Sequence, residues 1–240
     1  MRKRVLYIQP VGCEGPALIE ETRPTHSVAE VCRPVIGHPL PKRASDYAAI
    51  IALGGPMGVY ETDAHPWLTD LFALLRQAVE ERVPTLGICL GSQALAASVG
   101  APVGPTGGQE IGWFPITLSQ AAREDSLLSI LPSPLEVFHW HGDRWELPEG
   151  AVLLASSERC DHQAFRLGDH AWGLQFHMEV TAETPPIWAE AYIDELLKYP
   201  ALPGPTEIVE QTARCAPTLE PLARAVFSRF WELALNDRGR

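Results

Sequence analysis

No apolar run in this 240-residue sequence approaches the ~18 residues that a membrane-spanning helix needs, so no membrane partner is expected. Cysteines are few. Cys13, Cys32, Cys89, Cys160 and Cys215 are odd in number and widely spaced, with no C-x-x-C pair. Such a set argues against a disulfide framework or a zinc ribbon and fits a reducing, cytoplasmic setting. Positive charge is scarce as well: 19 Lys and Arg stand against 30 Asp and Glu, a formal charge of −11. With no basic stripe, a nucleic-acid partner is not expected. The one basic run, Arg2-Lys3-Arg4, leads straight into a short apolar strand, with no signal-type core or cleavage site behind it. A phosphate loop is also missing. Gly54-Gly55-Pro56-Met57-Gly58 follows an apolar run, but no Gly-Lys-Ser/Thr comes after it, which leaves no case for a nucleotide cofactor.

Hydrophobic residues make up 46% and charged residues 20%, the balance of an ordinary globular chain with a sizeable core. Val5–Ile8, Ala48–Leu53 and Thr85–Ile88 read as strands without apolar/polar alternation, as expected of a parallel sheet covered on both faces. Pro66 opens a helix whose apolar residues from Trp67 to Val79 recur every three or four positions. After Gly100 come short strand candidates at 116–118, 135–138, 152–155, 163–166 and 172–176, some of them expected to pair antiparallel. Helices are expected at Ile187–Tyr199 and Leu219–Leu235, joined by a proline-bearing connector from Pro200 to Pro217. The expectation is one α/β domain over 1–240, with a core of about 1–185 and a C-terminal helical extension of about 186–240.

The chemistry concentrates at Gly87-Ile88-Cys89-Leu90-Gly91, where an apolar strand gives way to a helix-compatible stretch. This is the cysteine form of a nucleophile elbow: a tight turn lifts the side chain above the sheet, and flanking glycines remove Cβ atoms that would clash. A lone cysteine is more often a small buried hydrophobe than a nucleophile. Downstream, Gln175-Phe176-His177-Met178-Glu179 offers a general base and a carboxylate. In an extended segment positions i and i+2 share a face, so Glu179 can orient the His177 ring; the competing reading is a surface His-Glu pair. A glycine amide of the 54–58 loop and the amide of Leu90 could hold a developing oxyanion. His139 and His141, which flank Trp140, read as a structural strand end, and no metal is assigned.

Taken together, Leu53–Gly58, Leu86–Gln93, Glu110–Trp113, His141–Asp143 and Gln175–Glu179 resemble the class I glutamine amidotransferases of the Cys-His-Glu type. The likeness is to free-standing members close to the amidotransferase domain of GMP synthetase. It covers about residues 48–180 in the family's order. It implies a flavodoxin-like, mostly parallel central sheet with helices on both faces and hydrolysis of a glutamine side-chain amide through a γ-glutamyl thioester. Cys89 would be the nucleophile, His177 the general base and acid, and Glu179 its orienting carboxylate. Gly55 and Leu90 would supply the oxyanion amides, and Gln93, Gly142 and Asp143 would hold the amino-acid end of the substrate. Gln93 reads equally as a helix-face amide. Met178 stands where the family usually has Pro, and Ser92 where His is common. Three functions stay open: a glutaminase serving a synthetase partner subunit, a self-contained γ-glutamyl hydrolase, or a non-catalytic small-molecule binding module. A homodimer through the apolar face of the last helix is a further option.

Overall fold

In the computed structural model, which describes residues 2–236, β1 (Lys3–Ile8) runs parallel to β2 (Ser27–Cys32) on one side and to β3 (Ala49–Ala52) on the other. Next come β4 (Thr85–Ile88) and β9 (Ala171–Leu174), still parallel. An antiparallel extension completes the sheet through β8 (Ala164–Leu167), β7 (Val152–Ser157), β5 (Val103–Leu118) and β6 (Leu135–Trp145), in the order β2-β1-β3-β4-β9-β8-β7-β5-β6.

Successive residues of β1 feed opposite cores. Val5 and Tyr7 pack with α6 (Pro205–Leu235), while Leu6 and Ile8 pack with α2 (Trp67–Glu80) and α3 (Leu90–Ser98). Burial on both faces is why the parallel strands carry no polar alternation. A short α1 (Ala17–Glu21) and the α4–α5 pair (Thr184–Ala191, Ile193–Leu196) complete the layer on the α6 side. No helix among the described residues is long and apolar enough to cross a membrane.

Several boundaries differ from expectation. β5 and β6 are far longer than the short strands read at 116–118 and 135–138. The glycines and prolines of 104–115 break the hydrophobic pattern, and the ladder passes over them with a register shift between Pro105 and Glu110. The helix expected at 187–199 is two, broken at Tyr192. Most of the supposed 200–217 connector is the opening part of α6, which runs on through Pro217 and Pro221. A proline inside a helix removes one backbone hydrogen bond. Here the buried series Ile208, Thr212, Cys215, Leu219, Ala223 and Val226 keeps helical spacing across both prolines, and packing outweighs that loss.

Candidate active site

Cys89 directly follows β4 and caps α3 with φ 49° and ψ −110°, a conformation that L-residues rarely adopt. The strain is held from all sides. Its amide donates to the Leu174 carbonyl at 2.7 Å, and its own carbonyl accepts from the amides of Ser92 and Gln93 at 2.9 and 3.0 Å. Ser92 adds its hydroxyl at 2.7 Å and is itself held by the Trp145 indole, so serine secures the first helical turn at this position. The flanking glycines answer a packing demand. A Cβ on Gly91 would lie 2.0 Å from the Ala52 carbonyl oxygen, and one on Gly87 would lie 2.5 Å from that of Gly91. The first turn of α3 presses directly on the sheet, which leaves the thiol standing above the strand ends.

His177 follows β9 and is pinned by an isolated antiparallel bridge to Phe138, with amide–carbonyl distances of 2.7 and 3.3 Å. Met178 beside it is fully buried, so the bridge to Phe138 fixes this backbone without a proline. Nδ1 of His177 lies 2.6 Å from Oε1 of Glu179, and both side chains are buried. Trp188 of α4 packs edge-on against the imidazole, with ring centres 4.7 Å apart. The ring's other nitrogen, Nε2, makes no formal hydrogen bond, and Cys89 and His177 contact and perturb one another electrostatically.

Burial is the largest influence on the Cys89 thiol and pushes its pKa up. The His177 contact and the Leu90 amide pull the other way, so a hydrogen-bond donor reaches the sulfur from the start of α3. Burial alone would lower the pKa of His177, but the charge of Glu179 and the contacts with Cys89 and Glu179 outweigh it and raise it well above the ordinary imidazole value. The thiol also donates to the Trp140 carbonyl and accepts from the Gln175 amide, each at 3.7 Å.

Cys89 opens into a cleft of about 580 Å³. Of the sequence-predicted residues, Gly55, Gln93, Gly142 and Asp143 line it with Cys89, while Leu90, His177 and Glu179 are buried and do not line it. A Cβ on Gly55 would lie 3.0 Å from Leu90 Cδ2, so the glycine loop sits directly over that residue. Gln93 is buried, and its amide donates to Gln175 at 3.2 Å.

Sequence reasoning missed the opposite wall. Glu14, from the loop after β1, is buried beside the catalytic-type pair and accepts from the Tyr192 hydroxyl at 2.7 Å. Burial raises its carboxyl pKa, while nearby His177 and the Tyr192 bond counteract that rise. Trp188 donates its indole N–H to the Cys13 carbonyl, and Trp140 donates to Glu195 at 2.9 Å. The cleft is thus bounded by four carboxylates, Glu14, Glu61, Asp143 and Glu195, and no Lys or Arg lines it among the described residues.

His139 and His141 lie on one face of β6, as alternate strand residues must. Glu110 of β5 is registered opposite His141, and its Oε2 lies 3.1 Å from His141 Nε2 and 3.9 Å from His139 Nδ1. Glu110 opens one of the family-like segments, but its meeting with the histidines was not read from the sequence, because 28 residues separate it from His139 and only the pairing of β5 with β6 joins them.

The family model for class-I glutamine amidotransferases matches residues 25–186. The glutamine amidotransferase-like protein YfeJ of Salmonella typhimurium is 39% identical over 150 residues, 61% of this chain and 63% of that protein. The glutamine-hydrolysing GMP synthase of Porphyromonas gingivalis is 37% identical over 143 residues, 59% of this chain but 26% of its own length. The chain therefore matches less than two thirds of these relatives. Among solved structures, a glutamine amidotransferase of Thermotoga maritima superposes with TM-score 0.86 at 35% identity, covering 97% of this chain and 99% of that one. One from Methylobacillus flagellatus gives 0.90 at 32%, covering 100% and 98%. This chain belongs to the class-I glutamine amidotransferase family.

Proposed function

We propose that this protein hydrolyses the γ-amide of glutamine or of a γ-glutamyl compound, with Cys89 as nucleophile. One observation carries the reading. A cysteine strained into an elbow lies at the floor of a cleft beside a histidine whose far nitrogen is held by a buried glutamate. The Cys89 proton passes to His177 Nε2 as sulfur attacks the amide carbonyl carbon, and the Gly55 and Leu90 amides take up the charge on oxygen. The C–N bond breaks as His177 returns its proton to the departing nitrogen, which leaves a γ-glutamyl thioester. Water, deprotonated by His177, then displaces the sulfur and frees glutamate. Gln93, Gly142 and Asp143 hold the amino-acid end.

Two specific forms of this function differ in where the amine goes. The GMP synthase relatives favour ammonia transfer to a synthetase partner subunit. The cleft favours a self-contained hydrolase: its volume of about 580 Å³ exceeds what a glutamine side chain fills, and its acidic wall suits a cationic amine on the leaving side. The test is turnover of the isolated chain on glutamine and on γ-glutamyl amides, followed by mass spectrometry of Cys89. A γ-glutamyl mass increment on Cys89 with turnover supports the reading. No adduct with any substrate would leave the non-catalytic binding module.

A further inference from the structure

Behind the wall of the cleft, Glu110, His139 and His141 turn three ligand-type atoms toward one point. These atoms all lie within 4.8 Å of one another, and all three side chains are buried. The outer nitrogens of both rings are committed to backbone carbonyls. His141 Nδ1 donates to Asp143 O at 3.0 Å, and His139 Nε2 donates to Phe114 O at 3.3 Å. This assignment fixes both tautomers and turns both remaining lone pairs, His141 Nε2 and His139 Nδ1, toward the Glu110 carboxylate. Backbone carbonyls in this role are the usual orienting partners of metal-bound histidines.

Two lone pairs facing a carboxylate repel it unless a positive charge lies between them. A proton on His141 Nε2 would relieve the 3.1 Å contact alone, leaving His139 Nδ1 buried with no partner. A divalent cation would satisfy all three. Tetrahedral zinc, with bonds of about 2.0–2.1 Å, sets its ligand atoms about 3.3–3.4 Å apart. The observed 3.1 and 3.9 Å bracket that spacing. A fourth oxygen is also at hand. The Gln163 amide nitrogen lies 2.8 Å from Glu110 Oε2 and 3.5 Å from His141 Nε2, while Gln163 Oε1 is buried without a partner. A half-turn of that amide exchanges the two atoms. We propose that Glu110, His139 and His141 form a structural site for one divalent cation of the zinc class, reached from the cleft along the His141 side, with Gln163 completing it.

Such an ion would tie β5, β6 and the turn before β8 together, directly behind Gly142 and Asp143. It takes no part in the Cys89 chemistry. The test titrates Zn²⁺ into the full chain carrying Cys89→Ser, freed of metal by a chelator, so that the candidate nucleophile cannot supply a ligand. One Zn²⁺ per chain and a raised thermal midpoint are expected, with at least about tenfold weaker binding in the added His139→Gln variant. No binding, or unchanged binding in a natively folded His139→Gln chain, overturns the site. If that variant does not fold, Co²⁺ in the Cys89→Ser chain decides. Tetrahedral ligand-field bands without a thiolate charge-transfer band support the site. A thiolate band, or the spectrum of aqueous Co²⁺, overturns it.

Discussion

His177 and Glu179 meet at 2.6 Å across a single intervening residue, and neither side chain is open to solvent. The charge of Glu179 opposes the burial that would otherwise lower the pKa of His177, and with the Cys89 contact raises it.

Replacing Glu179 by Gln removes that negative charge while keeping the shape. Cys89 and His177 titrate as a coupled pair, so losing a nearby negative charge makes every proton on the pair easier to remove. Both limbs of the pH profile of kcat/KM are expected to move to lower pH, and the plateau to fall by about 10²-fold. A profile unmoved on the pH axis would show that Glu179 does not hold the imidazolium.

The conformation of Cys89 separates activity from stability. Cys89→Ala and Cys89→Gly should both lose turnover and covalent labelling. Only glycine accepts a φ of 49° without strain, so the glycine variant is expected to be more stable than the alanine variant by about 1 kcal/mol. Urea unfolding of the two proteins checks this, and equal midpoints would mean that the turn stores no strain.

Gly91→Ala drives a methyl group into the Ala52 carbonyl at 2.0 Å, which neither backbone can yield without parting α3 from the sheet. A loss of about 2–3 kcal/mol is expected, with activity falling in parallel. Gly104→Ala, outside the cleft lining, where a Cβ meets nothing within 4 Å and φ is not positive, serves as the neutral control. Equilibrium unfolding of both variants makes the comparison.

The acidic wall predicts a charge preference. On the proposed reaction, a cationic amine on the leaving side is expected to gain from Glu61 or Glu195, and a carboxylate there to be repelled. A γ-glutamyl diamine should exceed a γ-glutamyl dipeptide with a free carboxylate by at least about tenfold in kcat/KM, the effect of about 1.4 kcal/mol. Raising the salt concentration should narrow the gap, and Glu195→Gln should shrink it further. Equal rates for the two substrates would remove charge as the basis of selection.

Much of this was legible in the sequence because it is local. The Gly-x-Cys-x-Gly turn, the Gly54–Gly58 loop and the His177/Glu179 spacing each announce themselves within a few residues, and the fold brings them to one cleft. Glu14, Trp188, Tyr192 and Glu195 gave no such signal. They reach the cleft from opposite ends of the chain, and nothing in their immediate neighbours distinguishes them from ordinary core or surface residues. Glu110 stood within a family-like segment, yet its histidine partners sit on another strand, and only the strand pairing brings the three together. The first part of α6 was hidden for a different reason: Pro200 and Pro203 precede it, Pro205 opens it and Pro217 interrupts it, and only its tertiary packing reveals the helical stripe.

The match to the family begins at residue 25 and ends at 186, yet the cleft does not. Glu14 lies before that stretch, and Trp188, Tyr192, Glu195 and Tyr199 lie after it. Cys89, His177 and Glu179 therefore lie inside the matched stretch, while much of the wall facing them is drawn from the chain on either side of it. A lineage can rewrite that wall and leave the strained turn of Cys89 untouched.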